Sequence, residues 1–171
     1  MEQFPFVVWQ VVGYKESGKT TLMTTLVEEL QKSGLRVGTL KHHGHGGKPT
    51  FCDDDTDSGR HRDAGAIVSG VEGGGQMILS SKQDQWTLEK ALAHYISFEL
   101  DVVLVEGYKH ANYPKCVLLK SKEDKGLLLL KNVQCVVEWK GSDCQVSTFS
   151  INDEKAYVSW IVAELMKRCD Q

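Results

Sequence analysis

Strand-like apolar runs alternating with amphipathic stretches predict an α/β protein: a mostly parallel sheet flanked by helices, with additional β-hairpin elements. Two runs, FVVWQVV at 6–12 and VVLVE at 102–106, are apolar at nearly every position, as strands covered on both faces are. A helix-period pattern follows the first run, and two pairs of short apolar segments enclose turn-like residues. The 171 residues suit a single domain, with a hairpin insertion around residues 66–80.

FVVWQVV is the first strand. After its glycine-rich turn, Leu22, Met23, Leu26, Val27 and Leu30 recur at helical spacing, and Gly34 supplies the stop. RVGTL, residues 36–40, is a second strand. Residues 41–60, KHHGHGGKPTFCDDDTDSGR, are polar and dense in Gly, His and Asp, which describes a long loop of the kind that is functional or mobile. AIVSG, the glycine turn VEGGGQ and MILS then form a hairpin over 66–80. Leu88, Ala91, Leu92 and Tyr95 mark a helix behind Thr87, and VVLVE is the next buried strand. CVLLK and GLLLL flank the charged turn SKEDK as a second hairpin, with CVVEW as a further strand. Tyr157, Trp160, Ile161 and Leu165 give a final amphipathic helix.

Composition narrows the function classes. A net charge of −3 provides no global basic field for nucleic acid. No apolar run approaches the roughly 20 residues of a membrane span, and MEQFPFVVWQ does not read as a secretory signal. Five cysteines, Cys52, Cys116, Cys135, Cys144 and Cys169, form no CxxC, and their odd number argues against a disulfide framework. Reduced thiols in a cytoplasmic protein are expected.

GYKESGKT fits GxxxxGK[ST] without mismatch, with a strand before it and a helix after it. Gly13 and Gly18 let the backbone of Tyr14, Lys15, Glu16 and Ser17 turn its N–H groups onto phosphate oxygens. Lys19 reaches the β- and γ-phosphates, and the Thr20 hydroxyl is a Mg²⁺ ligand. Thr21 begins a helix whose positive N-terminal end faces the same anion. A second metal-side acid belongs at the end of a buried strand, where VVLVEG places Glu106. Asp57 is a further candidate for the Mg²⁺ shell.

Other groups admit two readings. His42, His43 and His45, with Cys52 and the aspartates at 53, 54, 55 and 57, make either a transition-metal site or a polar switch or substrate loop. The basic knot Arg60, His61 and Arg62, and the pair Lys109 and His110, are either contacts to an anionic ligand or solvated loop charge. SKED, residues 121–124, is either a degenerate guanine-reading turn acting through Asp124 or a charged hairpin turn. Residue mechanics alone reach a nucleotide with Mg²⁺ and stop there.

Five segments in order carry a resemblance: GYKESGKTTLMTTLVEEL, VGTLKHHGH, DSGRHRDAGA, LVEGYKH and FSINDEKAYVSWIVAEL. Together they resemble the molybdopterin-guanine dinucleotide biosynthesis protein B family, MobB, over essentially the whole chain. The resemblance implies a P-loop GTPase-type fold, GTP binding with weak Mg²⁺-dependent hydrolysis, and a homodimer. It also implies a supporting role beside the nucleotidyltransferase MobA, with molybdopterin or its guanine dinucleotide form as a ligand. Lys19 and Glu106 are then the catalytic pair. Asp57, Ser58 and Arg62 fall in the family's second motif, and Lys109 and His110 in its third, as second-ligand candidates. The 66–80 hairpin becomes a dimer element. Tyr14 stands where several related dimeric ATPases carry an additional lysine, and Lys15 comes one later. No nucleophile or general base is visible, so hydrolysis rests on positioning and charge and is expected to be slow. Two alternatives remain: a small-molecule kinase, for which the 60–62 knot is too short and early a lid, and a metallochaperone GTPase using His42, His43 and His45.

Overall fold

The computed structural model describes residues 3–44, 56–139 and 146–170. The chain divides into two compact units, one formed by Met1–Gly44 with Leu88–Gln171 and the other by His45–Thr87. In chain order the first unit opens with β1 (Val7–Gly13), α1 (Lys19–Lys32) and β2 (Val37–Lys41). The second unit holds α2 (Asp57–Asp63), β3 (Val68–Gly73) and β4 (Gln76–Ser81). The first unit resumes with α3 (Leu88–Ala93), a 3₁₀ turn (Ile96–Phe98), β5 (Val102–Glu106) and β6 (Lys115–Leu119). It ends with a longer 3₁₀ segment (Lys122–Leu129), β7 (Val133–Glu138), β8 (Ser147–Ser150) and α4 (Glu154–Cys169).

Six strands form one sheet in the order β2-β5-β1-β6-β7-β8, and every pairing is parallel. Alternate residues of β1 therefore serve opposite faces. Trp9 and Val11 pack with Leu26 and Leu30 of α1 and Ile161 and Leu165 of α4. Phe6 and Val8 pack with Leu88, Leu92, Val103 and Val105 on the other face. Both faces are covered, which is why β1 and β5 are apolar at successive positions. Leu26, Leu30, Ile161 and Leu165 are wholly buried, each worth roughly 2 kcal/mol of apolar burial. α1 ends as its sequence indicates: Gly34 takes a φ of 84°, and Leu35 N–H reaches back to the Leu30 carbonyl at 3.1 Å.

The first hairpin forms as β3 and β4, with a tighter turn than VEGGGQ suggested. Gly74 and Gly75 both adopt positive φ, which a two-residue primed turn requires and glycine permits at little cost. The second hairpin does not form. The CVLL of CVLLK lies in β6, but the GLLL of GLLLL lies in the 3₁₀ segment, and β6 pairs in parallel with β7 instead. A capping box between Ser121 and Asp124 starts that helical turn, so SKEDK nucleates a helix rather than reversing a strand. β8 was not anticipated: its four residues, STFS, carry too short an alternation to stand out, and β7 supplies the edge on which they add. Among the described residues, no helix is long and apolar enough to cross a membrane.

Candidate nucleotide-binding site

The loop between β1 and α1 runs from Gly13 to Lys19 at the carboxyl end of the central strand. Its shape depends on backbone that only glycine takes easily: Gly18 has a φ of 95°. Glu16 adopts a φ of 61° without that licence, a strain of about 1–3 kcal/mol of the kind that collects at ligand sites. A Cβ on Gly13 would run into the Ser17 hydroxyl and stand 3.0 Å from the Leu118 carbonyl. Ser17 is fully buried, and its Oγ lacks a hydrogen-bond partner, which is a polar cradle awaiting an acceptor or donor. Two outer ties hold the loop: Trp139 Nε1 donates to the Ser17 carbonyl at 3.4 Å, and Lys120 pairs with Glu16 at 3.7 Å.

Lys19 Nζ folds back and donates to the Tyr14 carbonyl at 2.7 Å, capping the loop with a positive charge. Burial pushes the Lys19 ammonium below the ordinary lysine value; Glu106 opposes that shift, while Lys41 and Lys109 add to it. Three ammonium groups and one carboxylate thus share this corner, an arrangement suited to a polyanion.

Glu106 ends β5, in register with Val11 of β1 on one side and Lys41 of β2 on the other. Its carboxylate is divided accordingly. Oε2 accepts from Thr20 Oγ1 at 3.4 Å, and Oε1 faces Lys41 Nζ at 3.3 Å. Two hard oxygen donors side by side at a phosphate loop fit Mg²⁺, which takes one or two protein oxygens and leaves the rest to phosphate and water. Among the described residues, no group of three or more His, Cys, Asp or Glu is arranged to hold a metal ion. His45, Cys52 and residues 53–55 lie outside the described residues.

The third-motif loop is set from inside the sheet. Gln10, wholly buried in β1, donates through Nε2 to the carbonyls of Gly107 and Tyr108, at 2.9 Å each. Gly107 and Tyr108 both take positive φ, and the Tyr108 ring lies 4.4 Å from that of His42. The turn delivers Lys109 Nζ to 4.7 Å from the centre of the Tyr14 ring, a cation–π contact within the usual range. His110 is exposed beside it. Sequence reasoning singled out neither Gln10 nor Lys41. Gln10 was visible as the one polar residue in FVVWQVV, whereas the role of Lys41 depends on register with Glu106.

Asp57, Ser58 and Arg62 share α2 of the second unit. Thr56 caps that helix by accepting from Gly59 N–H at 3.4 Å, and Asp57 pairs with Arg60 at 3.4 Å. Ser58 is buried, and its carbonyl accepts from the Ser69 hydroxyl at 3.1 Å, tying the helix to β3. Asp124, the candidate base reader, uses Oδ2 to accept from Lys120 N–H at 2.8 Å and Ser121 N–H at 3.1 Å.

Residues 8–139 match the model of the MobB family, described as molybdopterin guanine dinucleotide synthesis protein B. A probable molybdopterin-guanine dinucleotide biosynthesis adapter protein of Bacillus subtilis is 41% identical over 133 residues, 78% of this chain and 76% of the relative. The molybdopterin-guanine dinucleotide biosynthesis adapter protein of Escherichia coli is 28% identical over 165 residues, 91% of each chain. A crystal structure of Bacillus subtilis MobB superposes with a TM-score of 0.82 at 36% identity, covering 92% of this chain and 97% of that one. A MobB homologue from Bacillus stearothermophilus gives 0.78 at 39% identity, covering 94% and 98%. With its phosphate-loop geometry, its parallel sheet and a family match over most of its length, the chain belongs to the MobB family.

Proposed function

We propose that this chain is a GTP-binding adapter of molybdopterin-guanine dinucleotide biosynthesis, working in the cytoplasm as a homodimer beside the nucleotidyltransferase MobA. The names of the relatives support the pathway. The observation that carries the nucleotide assignment is the Thr20–Glu106 contact at the mouth of a loop already folded around Ser17 and Lys19. Residues 13–21 hold the phosphates, with backbone N–H groups and the α1 N-terminus facing the anion. Thr20 and Glu106 hold Mg²⁺, and the ion supplies charge neutralisation on the phosphates. Lys19 stabilises charge on the β- and γ-phosphates. Hydrolysis is slow and rests on positioning and charge stabilisation.

Lys109 and His110 are one candidate set for contacts to the second ligand, molybdopterin or its guanine dinucleotide form, and Asp57, Ser58 and Arg62 of the second unit are a separate candidate set. The two units serve as one nucleotide-binding domain. The β3–β4 hairpin is the dimer element, supported by its exposed Ile67, Met77, Ile78 and Leu79. Calorimetric titration of GTP, GDP and ATP with Mg²⁺ tests the assignment. GTP is expected to bind more tightly than ATP, and Glu106→Gln to weaken the Mg²⁺-dependent part of that affinity. Equal or tighter ATP binding with a silent Glu106→Gln would overturn it.

A further inference from the structure

On the side of β1 away from Glu106, the carboxyl ends of β6 and β7 and the start of α4 enclose a cleft of about 260 Å³. Leu118, Val137 and Tyr157 form its buried apolar floor, and Gly18 and Thr21 bring it directly against the phosphate loop. Trp139 and Glu154 also line it, both exposed residues. We infer that this cleft takes the nucleobase and that Glu154 selects guanine. This rests on the nucleotide assignment above and adds the residue that sets base preference.

Position argues first. Glu106 marks the metal side of the loop, so the terminal phosphates lie toward β5. The nucleoside then extends the other way, over Gly18 and Thr21 toward β6 and β7. Size agrees: the cleft falls just below the roughly 300 Å³ at which whole drug-sized ligands begin to fit, and a fused bicyclic base needs less. Apolar and aromatic walls suit a flat heteroaromatic ring. Trp139 is anchored to the loop through Nε1 and the Ser17 carbonyl at 3.4 Å, which holds its ring at the mouth.

Hydrogen-bond chemistry then selects the base. The guanine edge offers two adjacent donors, N1–H and the 2-amino group, and a carboxylate accepts both. Adenine presents an acceptor at N1, which a carboxylate repels. Asp124, the acid that the sequence suggested, is buried and accepts two backbone N–H groups from the turn it caps. Glu154 is differently placed. Its carboxylate accepts from Thr25 Oγ1 at 3.2 Å, a surface contact that water replaces easily. Asp153 already caps α4 by accepting from Ala156 N–H at 3.2 Å, so Glu154 is not needed to start the helix.

The test is titration of GTP, ATP and inosine triphosphate into the full chain and its Glu154→Gln, Asp124→Asn and Lys19→Ala variants. Glu154→Gln is expected to weaken GTP binding about tenfold or more, the effect of losing a charge-assisted pair, while leaving ATP unchanged. Inosine triphosphate, which lacks the 2-amino group, should lose less than GTP does. Asp124→Asn should leave the GTP-to-ATP ratio unchanged. An unchanged ratio in Glu154→Gln overturns the inference, as does transfer of the effect to Asp124→Asn or a wild-type chain with no guanine preference. Failure of the nucleotide assignment itself has a separate signature: Lys19→Ala would leave GTP affinity intact.

Discussion

Lys115→Met should change how stability responds to alkaline pH. Lys115 is fully buried at the start of β6, where Nζ donates to the carbonyls of Ala111 and of Lys131, the latter at 2.8 Å. Burial lowers its ammonium to about 8 from the ordinary 10.5. The folded state therefore gives up this proton first, and between those two values the unfolded chain binds more protons. Stability must rise with pH across that window. Integrated from about pH 7 to about pH 9.5, the gain is on the order of 2 kcal/mol. Urea unfolding of wild type and Lys115→Met over this range isolates the contribution, since every other lysine is common to both. Wild type should gain relative to the variant as pH rises. Parallel pH profiles would mean that the charge is not buried in the folded state and would refute the reasoning.

Three further outcomes follow from the same geometry. Gln10→Leu leaves the Gly107 and Tyr108 carbonyls without their donor and should cost about 1–3 kcal/mol in chemical denaturation. Gly13→Ala drives a methyl into the Ser17 hydroxyl and the Leu118 carbonyl; triphosphate affinity measured by calorimetry should drop at least about tenfold. Leu165→Ala empties a fully buried position between α4 and the sheet and should cost about 2–5 kcal/mol in thermal or urea unfolding.

Much of this molecule is legible in its sequence because central parallel strands carry their burial in their composition. FVVWQVV and VVLVE have no alternation to hide, and the loop after the first is recognisable by its glycines, lysine and threonine. Glu106 was singled out by position alone, as the acid that ends an apolar run, and it does end β5. What escaped depends on partners remote in sequence. Lys41 meets Glu106 only because β2 and β5 pair in that register. Gln10 acts 97 and 98 residues away, on a turn that no local pattern links to β1. The second hairpin failed for a local reason: Ser121 and Asp124 make a capping box whose S-x-x-D spacing was visible. Its leucines read equally well as a strand or as one side of a helical turn. β8 is short and polar, and pairing with β7 rather than its own propensity makes it a strand.

The most direct test of the central claim compares GTP affinity in Lys19→Ala and Lys109→Ala by calorimetry with Mg²⁺ present. Lys19 lies folded over the phosphate loop itself, whereas Lys109 rests over the Tyr14 ring. The account predicts that Lys19→Ala weakens GTP far more than Lys109→Ala does. Comparable losses from the two substitutions would contradict it, because the phosphates would then lie outside the loop that Gly13, Ser17 and Gly18 shape.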